Sequence, residues 1–198
     1  MPEISQPVLE GLTRCLNDED PAVRRAAAES LERLDTYRVL DDLLAALDSP
    51  DPATVVRTLH AVADLRNDRA LNATIRVLRA SRPDLRATAA RLLGLRRDPR
   101  ALEPLLELLG DSSHDVRMVV VEALGNFQDK RLTDRLLPLL RDANPELRGK
   151  VVEVLERLGD PRAAEGLVAT LEDPDPGVRC RVAMALGYLE VSDEPPAQ

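Results

Sequence analysis

Apolar side chains recur along this chain in short helical stripes separated by polar turns, and the stripes repeat every 31 residues. Val23, Ala27, Ala28, Leu31 and Leu34 fall at i, i+4, i+5, i+8 and i+11, which gathers them on one face of a helix and is incompatible with a strand. Val116, Val120, Val121, Leu124 and Phe127 repeat that stripe three units later. A second stripe, Leu40, Leu43, Leu44 and Leu47, returns as Leu102, Leu105, Leu106 and Leu109. No strand or hairpin pattern competes with either.

The punctuation keeps the same period. Pro21, Pro52, Pro83, Pro145 and Pro176 share one register, with His114 in the remaining place. Asp20, Asp51, Asn144 and Asp175 precede their prolines as helix caps; the cap accepts an orphan N–H, and proline at the first helical position has none to lose. A second cap register runs through Thr36, Asn67, Asp98, Asp129 and Asp160, and a leucine register through Leu16, Leu47, Leu78, Leu109, Leu140 and Leu171. Each unit therefore reads as a first helix and a second helix. The pattern predicts a half-repeat at 7–19, repeats at 20–50, 51–81, 82–112, 113–143 and 144–174, and a half-repeat at 175–191, about 12 helices in all. One pair cannot cover its own apolar face, so neighbours must stack, and 1–191 is expected to form a single all-α repeat array. The open ends permit end-to-end self-association, or Tyr188, Leu189 and Val191 fold over as a cap. The polar, Pro-rich tail 192–198 is expected to be disordered.

The units 20-DPAVRRAAAESLERL-34, 98-DPRALEPLLELL-109 and 160-DPRAAEGLVATL-171 resemble the short HEAT-like repeat of the phycobilisome-lyase type. The recurring aromatics of tetratricopeptide repeats and the TPLH signature of ankyrin repeats are absent. The resemblance implies an α/α superhelix, a HEAT/armadillo-like solenoid, with first helices on the convex side and second helices lining a concave groove. It also implies that Arg24, Arg86, Arg117, Arg148 and Arg179 bridge to a loop aspartate of a neighbouring repeat, against the alternative of an anion-binding ladder. Most members are binding scaffolds and a few are enzymes, so the fold does not decide the function.

Charge changes the picture. The 198 residues carry a net charge of −8, yet residues 66–100 hold ten arginines and only three acidic side chains. This belt comprises Arg66, Arg69, Arg76, Arg79, Arg82, Arg86, Arg91, Arg96, Arg97 and Arg100. It coincides with departures from the repeat, since Val55 replaces the ladder arginine, Arg82 replaces a cap, and Arg96 stands in a register of Leu and Phe. The belt is either a site for an acidic partner or is neutralised by its neighbours. Arg38, Arg69, Arg100, Arg131 and Arg162 open the second helices, each followed three residues later by Asp41, Asn72, Glu103, Asp134 or Glu165, which suggests local i, i+3 pairs or the charged edge of a groove.

Three aromatics (Tyr37, Phe127, Tyr188) and no Trp leave little with which to stack bases or enclose a chromophore, and the negative net charge disfavours nucleic acid and acidic membranes. His60 and His114 lack the pattern of a metal site, and Cys15 and Cys180 that of a disulfide framework or catalytic pair, so no cofactor and no metal are expected. The absence of a leader-like or membrane-spanning segment gives the expectation of a soluble, cytoplasmic protein. The reading that follows is a non-catalytic scaffold that captures a protein or peptide, with an acidic segment, on its concave face. Arg69, Asn72, Arg76, Arg79, Arg100, Glu103, Glu107, Leu108, Asp134 and Arg135 are the candidate contacts, and Val77, Leu108 and Leu139 the apolar anchors. The alternative is a phycobilin-lyase-like accessory subunit acting on a tetrapyrrole–protein adduct. A DNA glycosylase of the HEAT-like kind is disfavoured by the same charge and aromatic counts.

Overall fold

The computed structural model describes residues 6–15, 18–63, 65 and 67–191, and among them every regular element is helical. Leu16, Arg66 and the tail 192–198 lie outside the described residues. The side chains of Ala28, residues 34–40 and Leu189 likewise lie outside them. The chain divides into two compact units, Met1–Val62 and Ala63–Gln198.

In the smaller unit, α1 (Gln6–Cys15) packs on α2 (Pro21–Ala46), and α3 (Pro52–Ala63) follows. Asp20 caps α2 by accepting the Ala22 N–H at 2.7 Å. The pair expected in 20–50 is one continuous 26-residue helix. The junction Leu34-Asp35-Thr36-Tyr37 has neither glycine nor proline, and Thr36 stands where Asn67, Asp98, Asp129 and Asp160 cap the second helices of the other repeats. The corresponding junctions at 96–99 and 158–161 carry Pro99, Gly159 and Pro161, which end one helix and start the next.

The larger unit is two layers of helices. First helices α5 (Pro83–Arg96), α7 (His114–Gly125), α9 (Pro145–Leu158) and α11 (Pro176–Val191) each stack on the next. The second layer holds α4 (Asp68–Val77), α6 (Leu102–Glu107), α8 (Thr133–Leu136) and α10 (Ala164–Thr170). Apart from α4, these second helices are short α segments entered through tighter 3-10 turns, and α6 and α8 also end in one. Pro138 lacks the N–H that would carry α8 onward, and the turn Leu137–Arg141 takes its place. Leu93, Leu105, Leu124, Leu136, Leu155 and Leu167 are fully buried between the layers, each worth roughly 1.5–3 kcal/mol of burial. Val116, Val120, Val121 and Leu124 are buried as their stripe requires, with Phe127 half-buried. The first helices approach closely at Gly94, where an added Cβ would lie 2.5 Å from Ala123 Cβ and 2.6 Å from its Cα.

The arginine ladder joins consecutive repeats. Arg86 donates to both carboxylate oxygens of Asp111 at 2.7 Å, and Arg148 does the same to Asp173. Arg117 lies 3.5 Å from the Asp142 carboxylate. Each of these arginines also donates to carbonyls of its own preceding loop, as Arg148 does to Asp142 and Ala143. Each aspartate in turn accepts the N–H two residues on, shaping the turn. In these three the planar guanidinium staples two loops at once, the structural role implied by the repeat family, whereas Arg24 and Arg179 donate to carbonyls of their own preceding loops, Asp18 and Glu19 for the first and Asp173 and Pro174 for the second. In the ladder register the residue 25 positions after Val55 is Ala80, so arginine and aspartate are absent together there.

A left-handed residue follows three first helices in one register: Arg97 (φ 55) and Gly159 (φ 58) cap α5 and α9, and Gln128 (φ 53) lies in the turn after α7. Only glycine adopts this conformation without steric cost. Gln128→Gly is therefore expected to raise stability by several tenths to about 1 kcal/mol, read as a higher urea midpoint at unchanged slope. An equal or lower midpoint would show that the glutamine side chain stabilises the turn.

Candidate functional site

The second-helix layer of the larger unit carries all the candidate contacts. Each of its helices opens on a cap whose side chain accepts a backbone N–H: Asn67 from Ala70, Asp98 from Arg100, Asp129 from Arg131 and Asp160 from Arg162. In the last three the same carboxylate clamps the guanidinium two residues on, at 2.8 Å for Arg100, 2.6 Å for Arg131 and 2.6 Å for Arg162. Arg100 also reaches Asp68 at 2.7 Å and Arg162 reaches Asp134 at 2.8 Å, each in the preceding repeat. The i, i+3 partners expected from spacing are thus replaced by the cap aspartate and the repeat before. A cap carboxylate held by two backbone turns is already in place, whereas a residue at i+3 would have to lean back along a 3-10 turn.

These clamps set the titration of the caps. Hydrogen bonds from Arg100 and Arg162 hold the Asp98 and Asp160 carboxyls at about 2, and Arg131 lowers Asp129 in the same way. In the ladder, Arg86 lowers Asp111 and Arg148 lowers Asp173. Because the folded values lie below the ordinary 3.8, their contribution is complete above that value and is lost as pH falls towards about 2. Stability should therefore be flat on these groups from pH 8 to about 5 and drop steeply below about pH 4. Melting temperature as a function of pH tests this; a main loss of stability above pH 5 would contradict it.

The exposed face of the layer changes sign from helix to helix. On α4, Asn72 and Arg76 are exposed and Arg69 is half-buried, and Arg79 is exposed in the turn that follows it. Glu103 and Glu107 are exposed on α6, and Asp134 and Arg135 on α8. Arg79 bridges to Glu107 at 3.5 Å, joining the basic helix to the acidic one. Leu108 and Val77 are only 8% exposed and belong to the core, while Leu139 is half-buried. Their registers hold leucine or valine because the layers need them. The surface apolar groups on this layer are different ones: a groove of about 720 Å³ opens between the Leu137–Arg141 turn and α10, lined by Leu137, Pro138, Leu140, Gly166 and Ala169. Glu165, Glu172, Arg141 and the Asp134–Arg162 pair rim it. Sequence reasoning missed this groove, whose signal was Pro138 and Ala169 at positions the repeat leaves exposed.

His114 stands at the first turn of α7, its Nε2 3.1 Å from the Asn144 amide nitrogen, and His60 is exposed. Among the described residues no group of three or more His, Cys, Asp or Glu is placed to hold a metal ion, and no helix is long and apolar enough to cross a membrane.

The family model for HEAT repeats matches residues 5–79, 71–144 and 133–197. The chain belongs to the HEAT-repeat family. Its fold is that of an all-α HEAT/armadillo-like solenoid. No curated protein matches the chain in sequence. Among solved structures, the complex of CpcE and CpcF of phycocyanin lyase from Nostoc sp. PCC7120 is similar at 24% identity and a TM-score of 0.62, over 74% of this chain and 63% of that one. The chain thus spans less than two thirds of that relative's length. The E. coli protein YibA is similar at 18% identity and a TM-score of 0.59, over 95% of this chain and 71% of that one. A designed armadillo repeat protein in complex with the peptide (KR)4 is similar at 18% identity and a TM-score of 0.54, over 93% of this chain and all of that one. At these identities the likeness shows the HEAT solenoid fold.

Proposed function

We propose that this HEAT-repeat chain is a binding subunit that captures a segment of a partner protein on the second-helix layer of its larger unit. The observation that carries the reading is the groove between the Leu137–Arg141 turn and α10, an open and partly apolar feature of that layer. An apolar side chain of the partner seats on Leu137, Pro138 and Ala169, and an acidic stretch lies over Arg76 and Arg79. The two features are two repeats apart, on the order of 20 Å, which about six extended residues span. The anchor supplies affinity, and the charges set direction and encounter rate.

Within that class, an accessory subunit of the phycobilin-lyase type, acting with a second subunit on a tetrapyrrole–protein adduct, has the better support from the comparisons. Its support is the similarity to the complex of CpcE and CpcF of phycocyanin lyase. Two measurements test these readings. Affinity capture from the native cells should lose the same protein with Arg76→Glu/Arg79→Glu and with Pro138→Glu; if both variants keep every partner, the second-helix layer is not the site. Incubation of the captured complex with a bilin and its acceptor protein should give a new absorbance band that depends on this chain. No spectral change would remove the lyase-type reading and leave the capture reading standing.

A further inference from the structure

The basic belt is mostly consumed inside the fold. Arg86 is bound to Asp111, Arg82 to Asp84, Arg100 to Asp98 and Asp68, and Arg79 to Glu107, while Arg96 donates to the carbonyls of Leu65 and Asn67. Arg69 and Arg76 are engaged as well. Arg66 lies outside the described residues; of the described belt, Arg91 and Arg97 are exposed and pair with no carboxylate among the described residues.

Both flank Leu95. Arg91 sits one turn earlier on the same face of α5, and Arg97 is the left-handed residue that closes the helix. Leu95 is 68% exposed, the highest value among the large apolar side chains of the described residues. Its register holds Arg33, Asp64, Asn126, Arg157 and Tyr188 in the other first helices, so the repeat does not ask for leucine. Beside it opens a cavity of about 520 Å³, lined by Ala63, Leu92 and Leu95 together with Arg96, Arg100, Asp68 and Asp98. Those four charged groups are satisfied by one another and by backbone, so the uncompensated charge among the described residues at this site is the +2 of Arg91 and Arg97. Arg97 is also kept in a conformation that glycine occupies at position 159. A side chain retained against backbone preference beside an exposed leucine marks a contact surface.

We infer that the C-terminal end of α5 is a docking site for an acidic, leucine-bearing segment of a partner protein, separate from the Leu137–Ala169 groove. A leucine of the segment lies on Leu92 and Leu95 at the cavity mouth, and flanking carboxylates pair with Arg91 and Arg97. Charge complementarity selects this occupant: two unpaired guanidiniums around an apolar anchor repel a basic segment and leave a neutral one without orientation.

The test uses fluorescence anisotropy of the full chain with a fluorescein-labelled synthetic peptide, Glu-Asp-Leu-Glu-Asp-Leu-Leu-Glu-Asp. Saturable binding is expected, weakened about tenfold or more by Leu95→Ser and by Arg91→Ser/Arg97→Gly, and by replacing the peptide's leucines with serine. Arg97→Gly removes backbone strain, so a preserved or raised melting temperature separates lost binding from lost folding. Arg76→Glu/Arg79→Glu should leave the peptide affinity within about twofold, as expected of a remote site. The inference is overturned by absence of saturable binding, by a serine peptide that binds equally well, or by an α4 reversal that abolishes binding as the α5 variants do. None of these outcomes bears on capture at the Leu137–Ala169 groove.

Discussion

Asp173→Ala is expected to destabilise the larger unit by about 3–5 kcal/mol, far more than any exposed ion pair on its surface. The Arg148 and Asp173 side chains are only 9% and 5% exposed, and two hydrogen bonds of 2.7 Å join them. Removing the carboxylate leaves a guanidinium in a dry junction with only the Asp142 and Ala143 carbonyls, and Asp175 loses the acceptor of its N–H. Arg131→Ala is the contrast, because that side chain is open to solvent and its loss should leave the urea midpoint nearly unchanged. Urea unfolding of both variants, compared at unchanged slope, measures the difference. A loss below about 1 kcal/mol for Asp173→Ala would mean that the ladder fits the loops together without stabilising them.

Gly94→Ala is expected to destabilise by about 1–3 kcal/mol, opposite in sign to what helix propensity predicts. In an isolated helix the substitution would gain roughly 1 kcal/mol. Here the new methyl would meet the Cβ and the backbone Cα of Ala123, and α7 cannot move away without opening the core behind it. Gly187 supplies the control: it occupies the same register on α11, and an added Cβ there meets nothing within 4 Å. Gly187→Ala should therefore raise the thermal midpoint. If both alanines stabilise, the approach of α5 to α7 is looser than the packing of Gly94 on Ala123 requires.

The two substitutions bear on function through the same scaffold. Stacked first helices hold the second helices in register, and the groove beside α10 exists only while the Leu137–Arg141 turn and Gly166 remain in close contact. A repeat array transmits damage to its neighbours rather than to a distant core. Asp173→Ala should thus weaken partner capture at the groove before it affects peptide binding at the end of α5.

Much of this was legible in the residues. Stripes at helical spacing, a proline after each cap and a 31-residue period leave no alternative to stacked helix pairs, because every stripe must be covered by the adjacent unit. The partners of Arg86, Arg117 and Arg148 follow from register as well, since each lies 25 residues before its aspartate. The merger of residues 20–50 into one helix did not follow from the missing glycine and proline near Thr36, because the stretch between Ala63 and Asp68 lacks both and still separates α3 from α4.

Tertiary structure decided the rest. Sequence spacing placed Arg100, Arg131 and Arg162 against residues three positions later, but short 3-10 turns and buried caps bring Asp98, Asp129 and Asp160 to them instead. It marked Val77 and Leu108 as anchors, whereas a leucine in a repeat register is more strongly required by the core than by a partner. It showed ten arginines in one belt without telling which were already paired, because pairing depends on contacts 25 to 32 residues apart. Local chemistry thus determined the elements and their period, while the distribution of charge and apolar surface still open to a partner was set by packing, which spends most polar groups inside the fold.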